Sequence, residues 1–496
     1  VIEAFFAQMP ALVIVLPLLA APLCVLLHRA GLAWFVYLLT TWACFGLAFL
    51  LFMQVKIGGP ISYAMGGWPP PFGIELRLDA LNTVVLMLVT GIAAISSVYA
   101  KASVAAEIAS ERAYLFYAAL LLCFCGLAGI TVTGDAFNLF VFLEISSLSS
   151  YGLIAMGTKR RALLSAFQYL IMGTIGGTFL LIGIGFLYMM TGSLNMADIA
   201  ARLPAVADTR TVEAGLAFIV VGTSLKFALF PLHVWLPNAY TYAPSSVSVF
   251  IAATATKVAV YALIRFLFTV FGAAYAFGTL PLGEVLLVLS VAAMLSGSMA
   301  AIFQTDVKRL LAWSSIAQIG YIVMGFALAS SAGVAASVVH MVNHGLIKGA
   351  LFMAVGAMFW QLRTISLNDI AGLGRQMPIT SAAFVVAGLS LIGVPATGGF
   401  ISKWVLLEAV IAPGHYWLAA AILVSSLMAL IYIGRVVEVL YFRERPEGRP
   451  DVGEAPVLML VATWTLVLAN IAVGLYATPL IAAAQRAASA VLGDGS

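Results

Sequence analysis

The sequence predicts an all-α polytopic membrane protein of about 14 transmembrane helices, arranged as two inverted five-helix repeats with helices 7 and 12 broken. Three observations predict it. Of the 496 residues, 63% are hydrophobic and 9% charged, and the mean hydropathy is +1.09, more apolar surface than a soluble domain can bury. Apolar runs of about 20 residues, the length of a membrane crossing, recur fourteen times. Two of these runs place a lysine beside a proline: Lys226 ahead of Pro231, and Lys403 behind Pro395.

In chain order the runs centre near Leu18, Ala43, Met87, Cys123, Ile145, Leu181, Lys226, Ala255, Val291, Ile319, Leu346, Leu391, Met428 and Leu466. The first run continues into the second with no cleavable signal pattern. Between the second and third, residues 56–79 are too polar and Gly/Pro-rich to cross. The alternation Ile74–Glu75–Leu76–Arg77–Leu78 predicts a short hairpin there. Residues 193–213 form a second long connection, and Arg443–Glu454 is a charged loop. The expected divisions are 1–112 for the first three helices, 113–271 for one repeat, 281–442 for the other and 456–496 for a final helix.

Positive charge orients the chain. Loops after odd-numbered spans hold thirteen basic residues, among them Arg29, Lys159, Arg160, Arg161, Lys308, Arg309 and Arg449; the other side holds five. The odd loops are therefore expected to face the cytoplasm, with both termini outside a cell (inner) membrane. Cys24, Cys44, Cys123 and Cys125 lie in apolar runs without ligand spacing and read as small core residues.

A lysine at membrane depth costs a few kcal/mol or more, so Lys226 requires a reason. Pro231 breaks its helix, and a broken helix beside an ionisable group is a common way to build an ion site at mid-membrane. Glu144, near the middle of the fifth run, is the expected partner. The pair reads either as a static bond between helices or as a switch. In the switch, Glu144 holds the lysine's proton, and separation of the pair in a desolvated site lets it go. Lys257 sits well inside the eighth run, with Thr254, Thr256 and Tyr261 as polar company. Arg265, two turns on, reads as a snorkelling residue.

His340, His344 and Lys348 recur at i, i+4, i+8 on one helix face. Zinc binding lacks a nearby carboxylate or cysteine, so no metal is expected. The alternatives are imidazoles bonded to neighbouring helices, or a water-linked proton relay, for which Gly345 and Gly349 leave room. His233 is an accessory to that relay or a packing residue at the break. Arg435 and Glu438 read as an i, i+3 pair, and Asp135 as a helix cap. There is no phosphate loop, dinucleotide fingerprint, iron–sulfur cysteine cluster or haem motif, so no cofactor and no nucleic acid is expected.

The blocks GDAFNLFVFLEISSLSSYGLI, LKFALFPLHVWLPNAYTYAPSSVSVFIAATATKVAVYALIR, HMVNHGLIKGALF and GVPATGGFISKW resemble the antiporter-like subunits shared by Mrp-type cation/proton antiporters, respiratory complex I and membrane-bound hydrogenases. The resemblance is strongest to the D subunit of the Mrp-type antiporters and covers roughly residues 75 to 440. It places the family's glutamate on Glu144 and its lysines on Lys226, Lys257 and Lys403. A glutamate stands at the last position in one complex I homologue. The polar SSLSSY after Glu144 departs from the pattern. The resemblance implies a proton path along Glu144, Lys226, Lys257, His340, His344, Lys348 and Lys403, with His233 and Tyr261 accessory. It also implies other membrane subunits as partners, protons and sodium as cargo, and a transporter subunit rather than an enzyme. The leading reading is a proton-translocating subunit of a sodium/proton antiporter, the alternative a proton-pumping module of a redox complex. A scaffold that has lost transport fits poorly with the intact set of buried charges. No acidic cluster supplies a sodium site.

Overall fold

Helices joined by short connections run the length of the chain, which is seen here in a computed structural model that describes residues 2–278, 280–448 and 451–493. Arg449, counted above among the loop charges, lies outside the described residues, as do Val1 and 494–496 at the ends of the expected divisions. Twelve described helices are long and apolar enough to cross a membrane. They are spans 1 (Ile2–Leu27), 2 (Ala30–Gly58), 3 (Ala80–Glu107), 4 (Ala113–Val132), 5 (Ala136–Ala155), 6 (Arg161–Thr191), 8 (Ser245–Val270), 9 (Leu282–Ile302), 10 (Val307–Ala327), 11 (Ser331–Leu362), 13 (Tyr416–Phe442) and 14 (Val457–Leu475).

The seventh and twelfth spans come in two pieces each. Span 7 is Arg210–Lys226 and Trp235–Tyr242; span 12 is Pro378–Ile392 and Gly398–Ile411. Their breaks hold left-handed residues, Ala228 at φ 59° and Gly393 at φ 96°, where the chain leaves helical geometry. Between spans 2 and 3 the expected hairpin is present: β1 (Ile61–Ala64) pairs antiparallel with β2 (Glu75–Leu78), Ser62 opposite Arg77. The last division holds two helices rather than one. After span 14, the amphipathic helix Thr478–Leu492 packs on spans 3 and 11.

Two small motifs repeat one geometry at the starts of spans 5 and 10. Asp135 caps span 5 by accepting the Asn138 N–H at 2.7 Å, and its neighbours exchange backbone bonds with the segment after span 6. There Ala136 N donates to Leu194 O at 2.8 Å, and Met196 N to Gly134 O at 2.9 Å. Asp306 caps span 10 through Arg309 N–H at 3.0 Å, and the segment after span 11 pairs in the same register. Val307 N donates to Ile365 O at 3.1 Å, and Leu367 N to Thr305 O at 2.8 Å. The first motif shares its face with Glu75 of the hairpin; the second shares its face with Lys159 and Arg161. Each ties a helix start to the end of a hairpin, so buried backbone groups are satisfied at the same station in both.

Three sequence readings are corrected here. Arg265 does not snorkel: it is 7% exposed and its guanidinium is paired with Asp79, the cap of span 3, while its Nε donates to the Tyr261 hydroxyl at 3.0 Å. Span 8 ends there as a π-helix, Arg265–Val270. Arg435 does not pair with Glu438: its Nη1 donates to the Ile302 carbonyl at 2.7 Å, and Glu438 pairs with Arg443 at 3.1 Å. Lys308 is no loop charge: it is 3% exposed within the first turn of span 10. Asp79→Asn is expected to lower stability by about 3–5 kcal/mol, because it leaves the Arg265 charge buried without a counter-charge. Thermal unfolding in detergent checks this, and an unchanged midpoint contradicts it.

Candidate functional site

The central feature is a line of buried lysines whose partners differ. Lys226 is the last residue of the first half of span 7. Its Nζ donates to Glu144 Oε1 at 2.9 Å and to Ser147 Oγ at 3.0 Å. Ser147 belongs to the polar SSLSSY stretch, which thus supplies a ligand to the amine. The lysine side chain is 4% exposed and the glutamate's 24%. Gly177 of span 6 makes the meeting possible. A Cβ there would lie against Glu144 Oε1 and 3.6 Å from Lys226 Nζ. Gly177→Ala is therefore expected to displace the carboxylate from Lys226 and lower stability by about 1–3 kcal/mol, and thermal unfolding of the variant in detergent checks this.

From Lys226 a void of about 20 Å³, lined by Ser146, Ser147, Ser150, Tyr169, Ala255 and Ala259, reaches span 8. That is room for about one water molecule in polar surroundings. Lys257 of span 8 is fully buried and does not line this void. None of the three residues expected as its company bonds to it. Thr254 Oγ1 turns back onto the Phe250 carbonyl, Tyr261 donates to Thr131 O at 3.0 Å, and Thr256 Oγ1 has no protein partner. Lys257 Nζ instead donates to the carbonyl of Ala252, where Thr254 (φ −124°, ψ −55°) interrupts the helix.

On span 11 the His340 and His344 rings lie parallel with centroids 6.1 Å apart. His340 Nδ1 meets Ser402 Oγ at 3.0 Å. Its Nε2 and both ring nitrogens of His344 are buried without a protein partner, as water-bonded groups are. Lys257 and Lys348 lie within electrostatic reach of His344. Gly345 and Gly349 do not leave room for water, contrary to the sequence reading. A Cβ on Gly345 would meet Leu88 Cδ1 at 2.8 Å and Ala253 O at 3.0 Å, and one on Gly349 would meet Leu466 Cδ1 at 2.6 Å. These glycines let spans 3, 8 and 14 close onto span 11. Lys348 Nζ donates to Leu311 O at 2.7 Å and to Ser314 Oγ, both on span 10.

Lys403, in the second half of span 12, reaches back across the break. Its Nζ donates to Leu391 O at 3.0 Å, Ile392 O at 2.8 Å and Ser426 Oγ at 2.9 Å. Two of these are orphan carbonyls at the C-terminus of the first half, which attract a cation. Glu408 turns away and accepts from Trp404 Nε1 at 2.7 Å. His233 stands apart from the line, its ring 5.2 Å from Phe230 and 5.3 Å from Trp313.

Lys226 thus has a carboxylate, whereas Lys257, Lys348 and Lys403 are held by carbonyls and hydroxyls. A family described as NADH:quinone oxidoreductase/Mrp antiporter, TM, matches residues 133–429, which contain every one of these groups. The chain belongs to that family. NADH-quinone oxidoreductase subunit N of Desulforudis audaxviator is 41% identical over 492 aligned residues, covering 96% of this chain and 97% of the relative. The D subunit of the Na(+)/H(+) antiporter of Alkalihalophilus pseudofirmus is 28% identical, over 89% of this chain and 88% of its own length. A chain of the archaeal membrane-bound sulfane sulfur reductase superposes with a TM-score of 0.89 at 30% identity, covering 98% of each chain. One from the Mrp complex of Dietzia sp. does so with a TM-score of 0.90 at 24% identity, covering 99% and 98%. Among family members the chain is an antiporter-like, multi-pass membrane subunit, similar to subunits of both Mrp and complex I type assemblies.

Proposed function

We propose that this chain carries protons for a multisubunit membrane complex, along Glu144, Lys226, Lys257, His340, His344, Lys348 and Lys403, with Tyr261 and His233 accessory. The observation that carries the reading is the change of partner along the line. A carboxylate can hold a proton on Lys226; neutral oxygens around the other three lysines hold none so firmly, and a proton moves between such sites when water connects them. The breaks in spans 7, 8 and 12 place carbonyls at mid-membrane where they line the path instead of facing lipid.

The repeated Asp135 and Asp306 motifs support two inverted units, 113–271 and 281–442, between residues 1–112 and 456–496. The basic face is assigned to the cytoplasm of a cell (inner) membrane, and both termini to the outside. Two assemblies use this machinery. An Mrp-type sodium/proton antiporter is supported by Lys403, where one complex I homologue is glutamate. A redox-driven complex, in which the chain is part of a translocase, is supported by the 41% identity to a subunit N against 28% to an antiporter's D subunit. The deciding experiment is to isolate the complex, identify its subunits and follow proton movement with and without sodium. Proton flux indifferent to sodium, potassium and lithium, with redox subunits present, removes antiport; sodium-driven flux without redox subunits removes the pump. A complex that moves no protons under either drive overturns the proton-carrying reading itself.

A further inference from the structure

We propose that Lys308 is the station at which protons enter this line from the basic face, passing them to Lys348; this rests on the proton-carrying reading above. Lys308 is buried, and among the described residues the side-chain oxygen that accepts from it is neutral: Nζ donates to Ser245 Oγ at 3.0 Å and to the Ala243 carbonyl at 3.5 Å. Phe359 of span 11 covers it at 4.9 Å. A void of about 20 Å³ touches it, bounded also by Glu107, Lys159, Tyr242 and Asp306. Lys159, Tyr242 and Asp306 also line an open vestibule of about 430 Å³ on the basic face. Water at the surface therefore lies one small, polar void away from the amine.

Glu107 of span 3 is the carboxylate at this gate. It accepts the Ser245 N–H on both oxygens, at 3.1 and 3.0 Å, so Glu107 and Lys308 meet on the first residue of span 8. The remaining charged and titratable groups facing the amine are Lys159 from the loop before span 6, Tyr242 from span 7 and Asp306 from its own helix. Ser246, next to their shared ligand, has a buried hydroxyl without a protein partner.

The inward route follows span 10. Lys308, Leu311 and Ser314 recur at i, i+3, i+6 and share a face. Lys348 Nζ donates to the Leu311 carbonyl and the Ser314 hydroxyl. Lys348 therefore bonds to span 10 one turn inward of Lys308, whose own amine turns to Ser245. In the transfer an N–H bond of the Lys308 ammonium breaks, its proton passes inward through intervening water and the Ser314 hydroxyl, and a new N–H bond forms on the free amine of Lys348. The neutral Lys308 then regains a proton from vestibule water, so charge balances. The matching motif places Phe137 where the second unit has Lys308, so this inlet belongs to one unit only.

The test uses the whole complex in proteoliposomes, with pH set separately on each side. Lys308→Arg keeps the charge and the bond to Ser245 but does not give up a proton. It is expected to assemble normally and to slow proton uptake from the basic face about a hundredfold, the low end for a positioned proton-transfer group. What remains is expected to lose its dependence on basic-side pH while far-side pH dependence is kept. A structural role predicts the reverse, with arginine restoring wild-type flux and both profiles. Wild-type flux in Lys308→Arg, alongside loss of flux in Lys226→Ala, overturns this proposal and leaves the proton-carrying reading standing. Lys308→Met is the second variant: wild-type flux in it overturns the proposal equally, and should it not assemble, the arginine result decides alone.

Discussion

Replacing Glu144 by Gln is expected to abolish proton movement while leaving most of the protein folded and assembled. The amine of Lys226 keeps Ser147 as an acceptor at 3.0 Å, but the group that holds its proton is gone. Flux should fall by about a hundredfold or more, as for other positioned proton-transfer groups. Stability should fall less than for a fully buried pair, by about 1–3 kcal/mol, because the Glu144 side chain is 24% exposed and Ser147 remains as an acceptor for the amine. Lys226→Ala should behave alike. Initial proton flux and yield of intact complex, measured on the same preparation, test both; near-normal flux in either variant refutes the role of the pair.

Lys403→Met is expected to do two things at once, because this lysine both closes a helix end and stands on the proposed path. It strips the donor from the Leu391 and Ile392 carbonyls and from Ser426. An unsatisfied buried carbonyl costs about 1–3 kcal/mol, so the unfolding midpoint should drop visibly and flux should be lost. Lys403→Arg separates the two effects. A guanidinium can still cap the carbonyls but does not exchange its proton, so the midpoint should recover while flux stays low. Recovery of flux with arginine makes the residue a structural cap alone.

How much was legible in the sequence depends on the kind of signal. Glu144 and Lys226 were legible because a charge in an apolar run demands a partner, and the chain offers few candidates. The breaks were legible because proline and glycine act on the backbone locally. Lys308 was not, since two residues past a loop a lysine looks solvated until the helices around it are known. Arg265 failed for a related reason: its partner Asp79 is 186 residues away in sequence. Gly345 and Gly349 looked like space for water, but whether a missing side chain leaves a void or admits a neighbour is a property of packing.

By itself, then, the sequence determined a fourteen-span helical membrane protein, the two broken spans and their lysines, and the short hairpin before span 3. These follow from hydropathy, backbone chemistry and the high cost of buried charge, all of which act along the chain. Only the tertiary structure decided which oxygen each lysine meets, that the Asp135 and Asp306 motifs repeat one geometry, and that Lys308 is buried behind a vestibule. Those depend on contacts between helices far apart in sequence, where sub-ångström differences in approach separate a hydrogen bond from none.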